Sequence, residues 1–90
     1  MTISFDPAKR DWTLAARGLD FADAEEVFAG LTLTLPDIRR AYGEARFQTY
    51  GWLKGRMVMV VWTGRADGRH VISMRKCNDR EQAKVGKQLG

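Results

Sequence analysis

Six consecutive apolar residues, Met57–Trp62, constrain this chain more than any other feature. Side chains alternate across a β-strand, so Met57, Met59 and Val61 point one way and Val58, Val60 and Trp62 the other. Such a strand has no side fit for water and belongs in the middle of a sheet. The run is far short of the ~20 residues that cross a membrane. Lys54-Gly55 and Gly64–Gly68 are turns on either side of it, which sets the strand at Arg56–Thr63. The alternating segments Arg46–Trp52 and Arg69–Lys76 lie one short turn away, so the three strands form an antiparallel meander. Leu31–Leu35 alternates Leu with Thr before Pro36-Asp37 and supplies a fourth strand.

Two amphipathic helices precede the strands. Asp6 caps the first and Pro7 fits its opening turn, with Ala8, Trp12, Ala15 and Leu19 on one face and Gly18 as the stop. Asp20 caps the second, whose apolar side is Phe21, Ala24, Val27 and Phe28, and Gly30 ends it. Asn78 with Glu81 is a capping box for a last helix carrying Ala83, Val85 and Leu89. The order α-α-β-β-β-β-α predicts an α+β fold, with two N-terminal helices, a four-stranded and mainly antiparallel sheet, and a C-terminal helix, all helices on one sheet face. Ninety residues with nine aromatics are enough for a single domain, residues 1–90, with its own core. One cysteine, Cys77, rules out an internal disulfide, and with His70 the only histidine it rules out a four-ligand Cys/His zinc site. Charges at Asp6, Lys9, Arg10 and Asp11 interrupt any signal-peptide core. A reducing cytoplasm is the expected location, without membrane attachment.

Charge is distributed unevenly. Residues 1–45 carry a net −3 and residues 46–90 a net +7, within an overall +4. One basic face is expected, and basic faces attract polyanions, nucleic acid first. By alternation, Arg46, Gln48, Tyr50 and Trp52 share a face of the second strand. Arg69, Val71, Ser73 and Arg75 share a face of the fourth, which leaves His70, Ile72, Met74 and Lys76 on the side assigned to packing. Arginines interleaved with Tyr and Trp on an open sheet suit single-stranded RNA, guanidinium to phosphate and ring to base. Ordinary solvent-facing polarity accounts for the same pattern. As exposed strand residues, Arg46 and Arg75 are expected to contribute within about 0.5 kcal/mol to folding. Cys77 lacks a neighbouring base and reads as an inert thiol. Arg39-Arg40 reads as a solvated pair.

The chain resembles the BrnT toxins of bacterial type II toxin–antitoxin systems, ribonucleases of RelE-like fold. The likeness rests on Phe5-Asp6-Pro7-Ala8-Lys9, on Phe21 to Phe28 as F-x-x-A-x-x-V-F, on Tyr42-Gly43-Glu44-Ala45-Arg46 with Gly51, and on Val71-Ile72-Ser73-Met74-Arg75-Lys76 with Arg80-Glu81. Relatives commonly read Lys-His-Gly where this chain has Ala16-Arg17-Gly18, an Asn where Thr13 stands, and a Tyr where Val85 stands. The resemblance implies an RNA-cleaving toxin without metal or other cofactor. It also implies inhibition by a BrnA-like antitoxin, through which alone the toxin meets DNA.

RNA supplies its own 2′-hydroxyl nucleophile, so the protein has to orient it, stabilise charge on the phosphorane and manage protons. Arg46, Arg65, Arg75 and Lys76 are the expected charge donors, with Glu81 as the catalytic carboxylate. Tyr50, Trp52, Arg69 and Gln48 are the expected RNA contacts, and no residue is assigned to metal. Glu44, Tyr50 and His70 compete with Glu81 for the role of base. The alternative is a non-catalytic RNA-binding module, or a degenerate toxin that only binds its antitoxin. Cleavage in the presence of a chelator, or growth arrest relieved by a neighbouring gene product, separates the two.

Overall fold

The computed structural model describes residues 2–89. Along the chain run β1 (Thr2–Phe5), α1 (Pro7–Arg17), a 3-10 turn (Phe21–Asp23) leading into α2 (Ala24–Ala29), β2 (Leu33–Pro36), β3 (Arg46–Leu53), β4 (Arg56–Arg65), β5 (Gly68–Lys76) and α3 (Asp79–Leu89). They build an α+β fold on one mixed sheet of five strands, in the order β1-β5-β4-β3-β2. The doubly apolar β4 lies in the middle. β2 through β5 pair antiparallel, whereas β1 pairs parallel with β5, from Thr2 opposite Gly68 to Phe5 opposite Val71.

Two expectations are corrected here. The sheet has a fifth strand, β1, whose four residues leave little alternation to detect and whose partner lies some 66 residues away in sequence. The helices also cover both faces. On one side Val58 and Val60 pack with Leu19, Phe21, Ala24 and Val27; on the other Met57, Met59 and Val61 pack with Val85 of α3, which Leu89 supplements. The reason is energetic. Each large apolar side chain left in water forfeits roughly 1.5–3 kcal/mol, so both faces of β4 need a cover.

Local chemistry sets the helix ends as expected. Asp6 Oδ1 accepts from the Ala8 amide at 2.9 Å, and Pro7 occupies the first turn of α1. Gly18 ends α1 in the left-handed region, φ 69°, where its amide donates to Leu14 O at 3.0 Å. Asp20 accepts from the Ala22 amide at 3.0 Å and caps the 3-10 turn. Asn78 Oδ1 accepts from the Glu81 amide at 2.8 Å while Glu81 Oε1 accepts from the Asn78 amide at 3.0 Å, a reciprocal box. The face of α1 differs from its pattern: Ala8, Trp12 and Ala15 are exposed, and Thr13 is the buried residue of this helix. α1 lies beside β5, where Arg17 Nη1 donates to the Met74 carbonyl at 2.9 Å, and only part of its surface meets the sheet. α2 sits close on β3 because residue 51 is glycine. A Cβ there would come within 2.8 Å of Val27 Cγ1.

One irregularity decides how the sheet presents its side chains. Val61 is opposite Ser73, but the next residue, Trp62, is opposite Val71, so Ile72 is an extra residue in β5. This β-bulge reverses the alternation of β5 on its two sides. Ser73 and Arg75 lie on the α3 side of the sheet with Val61 and Met59. Arg69 and Val71 lie on the α2 side with Gly64 and Trp62, and His70 returns to the α3 side opposite Thr63.

Candidate functional site

Val61 is the last residue of its face of β4 to join the core beneath α3. Beyond it, toward the β4–β5 hairpin, one cross-strand row reads Arg46, Thr63, His70 and Ser4 across β3, β4, β5 and β1. His70 therefore stands on the same face as Arg46, not on the opposite one as strict alternation implied. One strand, β4, lies between them, so two strand spacings set their backbones about 10 Å apart. His70 Nδ1 is hydrogen-bonded to Ser4 Oγ at 2.9 Å. Burial lowers the His70 pKa below its ordinary 6.5, and Arg65 lowers it further, against an opposing pull from Glu44. The imidazole is therefore mainly neutral at neutral pH, the form able to accept a proton.

The arginine side of this row is fixed from the loop before β3. Buried Asp37 holds Arg39 through bonds of 2.8 and 2.7 Å and accepts from Tyr42 Oη at 3.2 Å. The Asp37 amide donates to the Arg46 carbonyl at 2.8 Å, which ties the loop to the strand. These bonds hold the Asp37 carboxyl far below the usual carboxylate range, with Arg39 the main cause. Tyr42 so placed lies under the Arg46 guanidinium, 4.0 Å from ring centroid to Cζ. Arg46 Nε also donates to Glu44 Oε2 at 3.0 Å. Thr63 Oγ1 donates to the Ala45 carbonyl at 2.6 Å and closes the floor. Arg65 stands at the exposed end of β4, and Gln48 one row inward opposite Val61. The group combines one neutral imidazole, two guanidiniums, a carboxylate and a phenol, group types that can accept a proton and bind an anion.

The structure gathers only some of the residues expected from sequence. Arg46, Arg65 and Gln48 join this group. Arg75 shares its face but stands opposite Met59, four residues from Thr63 along β4, so its backbone lies about 16 Å from that of Arg46. It is also committed. Arg75 Nη1 and Nη2 reach Glu81 Oε1 and Oε2, each at 2.7 Å, which makes Arg75 part of the fold rather than a loosely held surface residue. Its guanidinium is the main cause that holds the Glu81 carboxyl at about 2. A carboxyl so acidic is a poor proton carrier near pH 7. Tyr50 packs beneath α3 against the methionine cluster, and burial raises its pKa. Trp52 is exposed at the far end of β3, six residues or about 20 Å from Arg46.

Arg69 and Lys76 turn to the α2 side. Arg69 lies over the Phe28 and Trp62 rings at 4.1 and 5.0 Å, and Lys76 opposite Val58. Sequence reasoning passed over Asp37 and Tyr42 and set His70 on the wrong face. The motif Tyr42-Gly43-Glu44-Ala45-Arg46 was the available signal for Tyr42, and nothing in the run Val71–Met74 announces the bulge. Cys77 is buried, which pushes its thiol up to about 11 and fits an inert role. Among the described residues, no three His, Cys, Asp or Glu side chains come together, and no helix is long and apolar enough to cross a membrane.

Comparison with known proteins gives the framework for this geometry. A search of curated proteins finds no match. The family model described as the ribonuclease toxin BrnT of type II toxin–antitoxin systems matches residues 5–81, a span that takes in Tyr42, Arg46, Arg65 and His70. With most of its length matched, the chain belongs to the BrnT family of ribonuclease toxins.

Proposed function

We propose that this chain cleaves single-stranded RNA on the open sheet face by metal-independent transesterification, with His70 as the base. The observation that carries this reading is the row Arg46–Thr63–His70, which sets a neutral imidazole on the same sheet face as a guanidinium braced by Tyr42 and Glu44. With Nδ1 engaged by Ser4, the proton goes to Nε2. The 2′-oxygen gives up that proton and bonds to phosphorus. The bond from phosphorus to the 5′-oxygen breaks, and the leaving oxygen takes a proton from water. Arg46 and Arg65 stabilise the charge that builds on the phosphorane oxygens, the effect that usually contributes most. The products are a 2′,3′-cyclic phosphate and a 5′-hydroxyl.

A type II toxin implies an antitoxin protein and an RNA target. A BrnA-like antitoxin that covers this face, and reaches DNA on the toxin's behalf, is the partner proposed here. The test is cleavage of a single-stranded RNA by purified protein in EDTA, with the ends of the products identified. Cleavage persists, leaves cyclic phosphate, and falls about 10²–10⁴-fold in His70→Ala, the range for a positioned general base. Activity that disappears in EDTA and returns with magnesium overturns the mechanism, as does a His70→Ala protein that cuts like the parent.

A further inference from the structure

Trp12 stands in water, 59% exposed, on the helix face whose spacing suggested burial. It forms one wall of an open groove of about 360 Å³ between α1 and β5, lined further by Lys9, Thr13, Arg17, Ile72 and Ser73. Arg17 lies over the indole at 5.2 Å and is held there by its bond to the Met74 carbonyl at 2.9 Å. The lining contains two cations and no carboxylate. An exposed indole flanked by fixed cations suits a ligand with a flat aromatic part and an anionic part on the same short unit. A nucleotide has that chemistry: the base stacks and the phosphate pairs.

The groove also opens onto the cleavage face. Ile72 and Ser73 lie two and three residues from His70 on β5, or roughly 7–10 Å. Lys9, on the groove's rim, is among the charges that lower the His70 pKa. The bulge is what brings this about, because the extra residue at 72 lets groove and imidazole be served by one strand.

We infer that the α1–β5 groove is a nucleotide subsite for the RNA substrate, in which Trp12 stacks on a base next to the scissile phosphate while Lys9 and Arg17 hold that nucleotide's phosphate. The inference rests on the open face being the cleavage site. An acidic peptide of the antitoxin is the competing occupant, but continuity with the His70 row favours RNA.

The experiment measures anisotropy of a labelled 2′-O-methyl RNA octamer, which cannot be cut because its 2′-oxygens are blocked. Trp12→Ala weakens binding about 5- to 150-fold, the span for loss of one base–aromatic stack. Trp12→Phe retains most of the affinity, and the octamer quenches indole fluorescence in the parent more than in Trp12→Phe. Circular dichroism checks folding, which so exposed a side chain leaves intact. An octamer affinity in Trp12→Ala equal to the parent's overturns the subsite, and so does a loss confined to antitoxin binding. Because the probe reports binding alone, failure of the subsite is read separately from failure of the parent to cut RNA, which would overturn the catalytic reading.

Discussion

Replacing Arg75 with alanine tests whether this residue belongs to the fold or to the chemistry. The guanidinium makes two bonds of 2.7 Å to Glu81, with side chains 36% and 22% exposed. Loss of a hydrogen bond to a charged group costs about 1.5–3 kcal/mol, whereas a fully exposed ion pair contributes about 0.2–1 kcal/mol. A pair this accessible lies between those limits, and Glu81 keeps its bond from the Asn78 amide, so about 1–2 kcal/mol is expected. In a domain of this size that lowers Tm by roughly 5–15 °C. The pH dependence follows from the sign of the shift. Arg75 depresses the Glu81 pKa from 4.5 to about 2, so the pair's stabilisation is complete above about pH 4.5 and is lost as pH falls toward 2. Urea denaturation of the parent, Arg75→Ala, Glu81→Ala and the double variant measures the coupling, expected at about 1 kcal/mol at pH 7 and fading by pH 3. A change within about 0.5 kcal/mol for Arg75→Ala, with no coupling to Glu81, refutes the argument and returns Arg75 to the status of a free surface arginine.

Arg46→Ala reduces RNA cleavage about 10–1000-fold through loss of one preorganised donor, and a cleavage assay at constant salt reads it. Arg65→Ala removes a positive charge that lowers the His70 pKa, so the acid limb of the pH–rate profile moves to higher pH; a limb that stays put disconnects Arg65 from the imidazole. Gly51→Ala forces a methyl toward Val27 Cγ1 and destabilises by about 1–3 kcal/mol, measured by thermal melting. Cys77, buried and pushed up to about 11, resists iodoacetamide at pH 8 in the native protein and reacts once urea unfolds it.

Much of the fold was legible in local chemistry. The doubly apolar stretch Met57–Trp62 fixed the central strand, Asp6, Gly18, Asn78 and Glu81 fixed helix ends, and Lys54-Gly55 fixed a hairpin, because each acts on residues a few positions away. The strand position of Arg46 and the place of Arg65 beside the β4–β5 turn were legible too, from the parity of the strand and the glycines of the turn. What stayed hidden depends on contacts far apart in sequence. The pairing of β1 with β5 brings Ser4 to His70 across 66 residues, and no local pattern encodes a parallel partner. The cover on the α3 side packs Tyr50 beneath the helix and ties Arg75 to Glu81, contacts that no strand pattern announces. The site itself turned on one residue: with Ile72 extra, everything before it in β5 changes face, so Arg69 leaves the open side and His70 joins it. Alternation is a property of the strand alone, but a bulge is a property of the strand and its neighbour together, and only the assembled sheet reveals it.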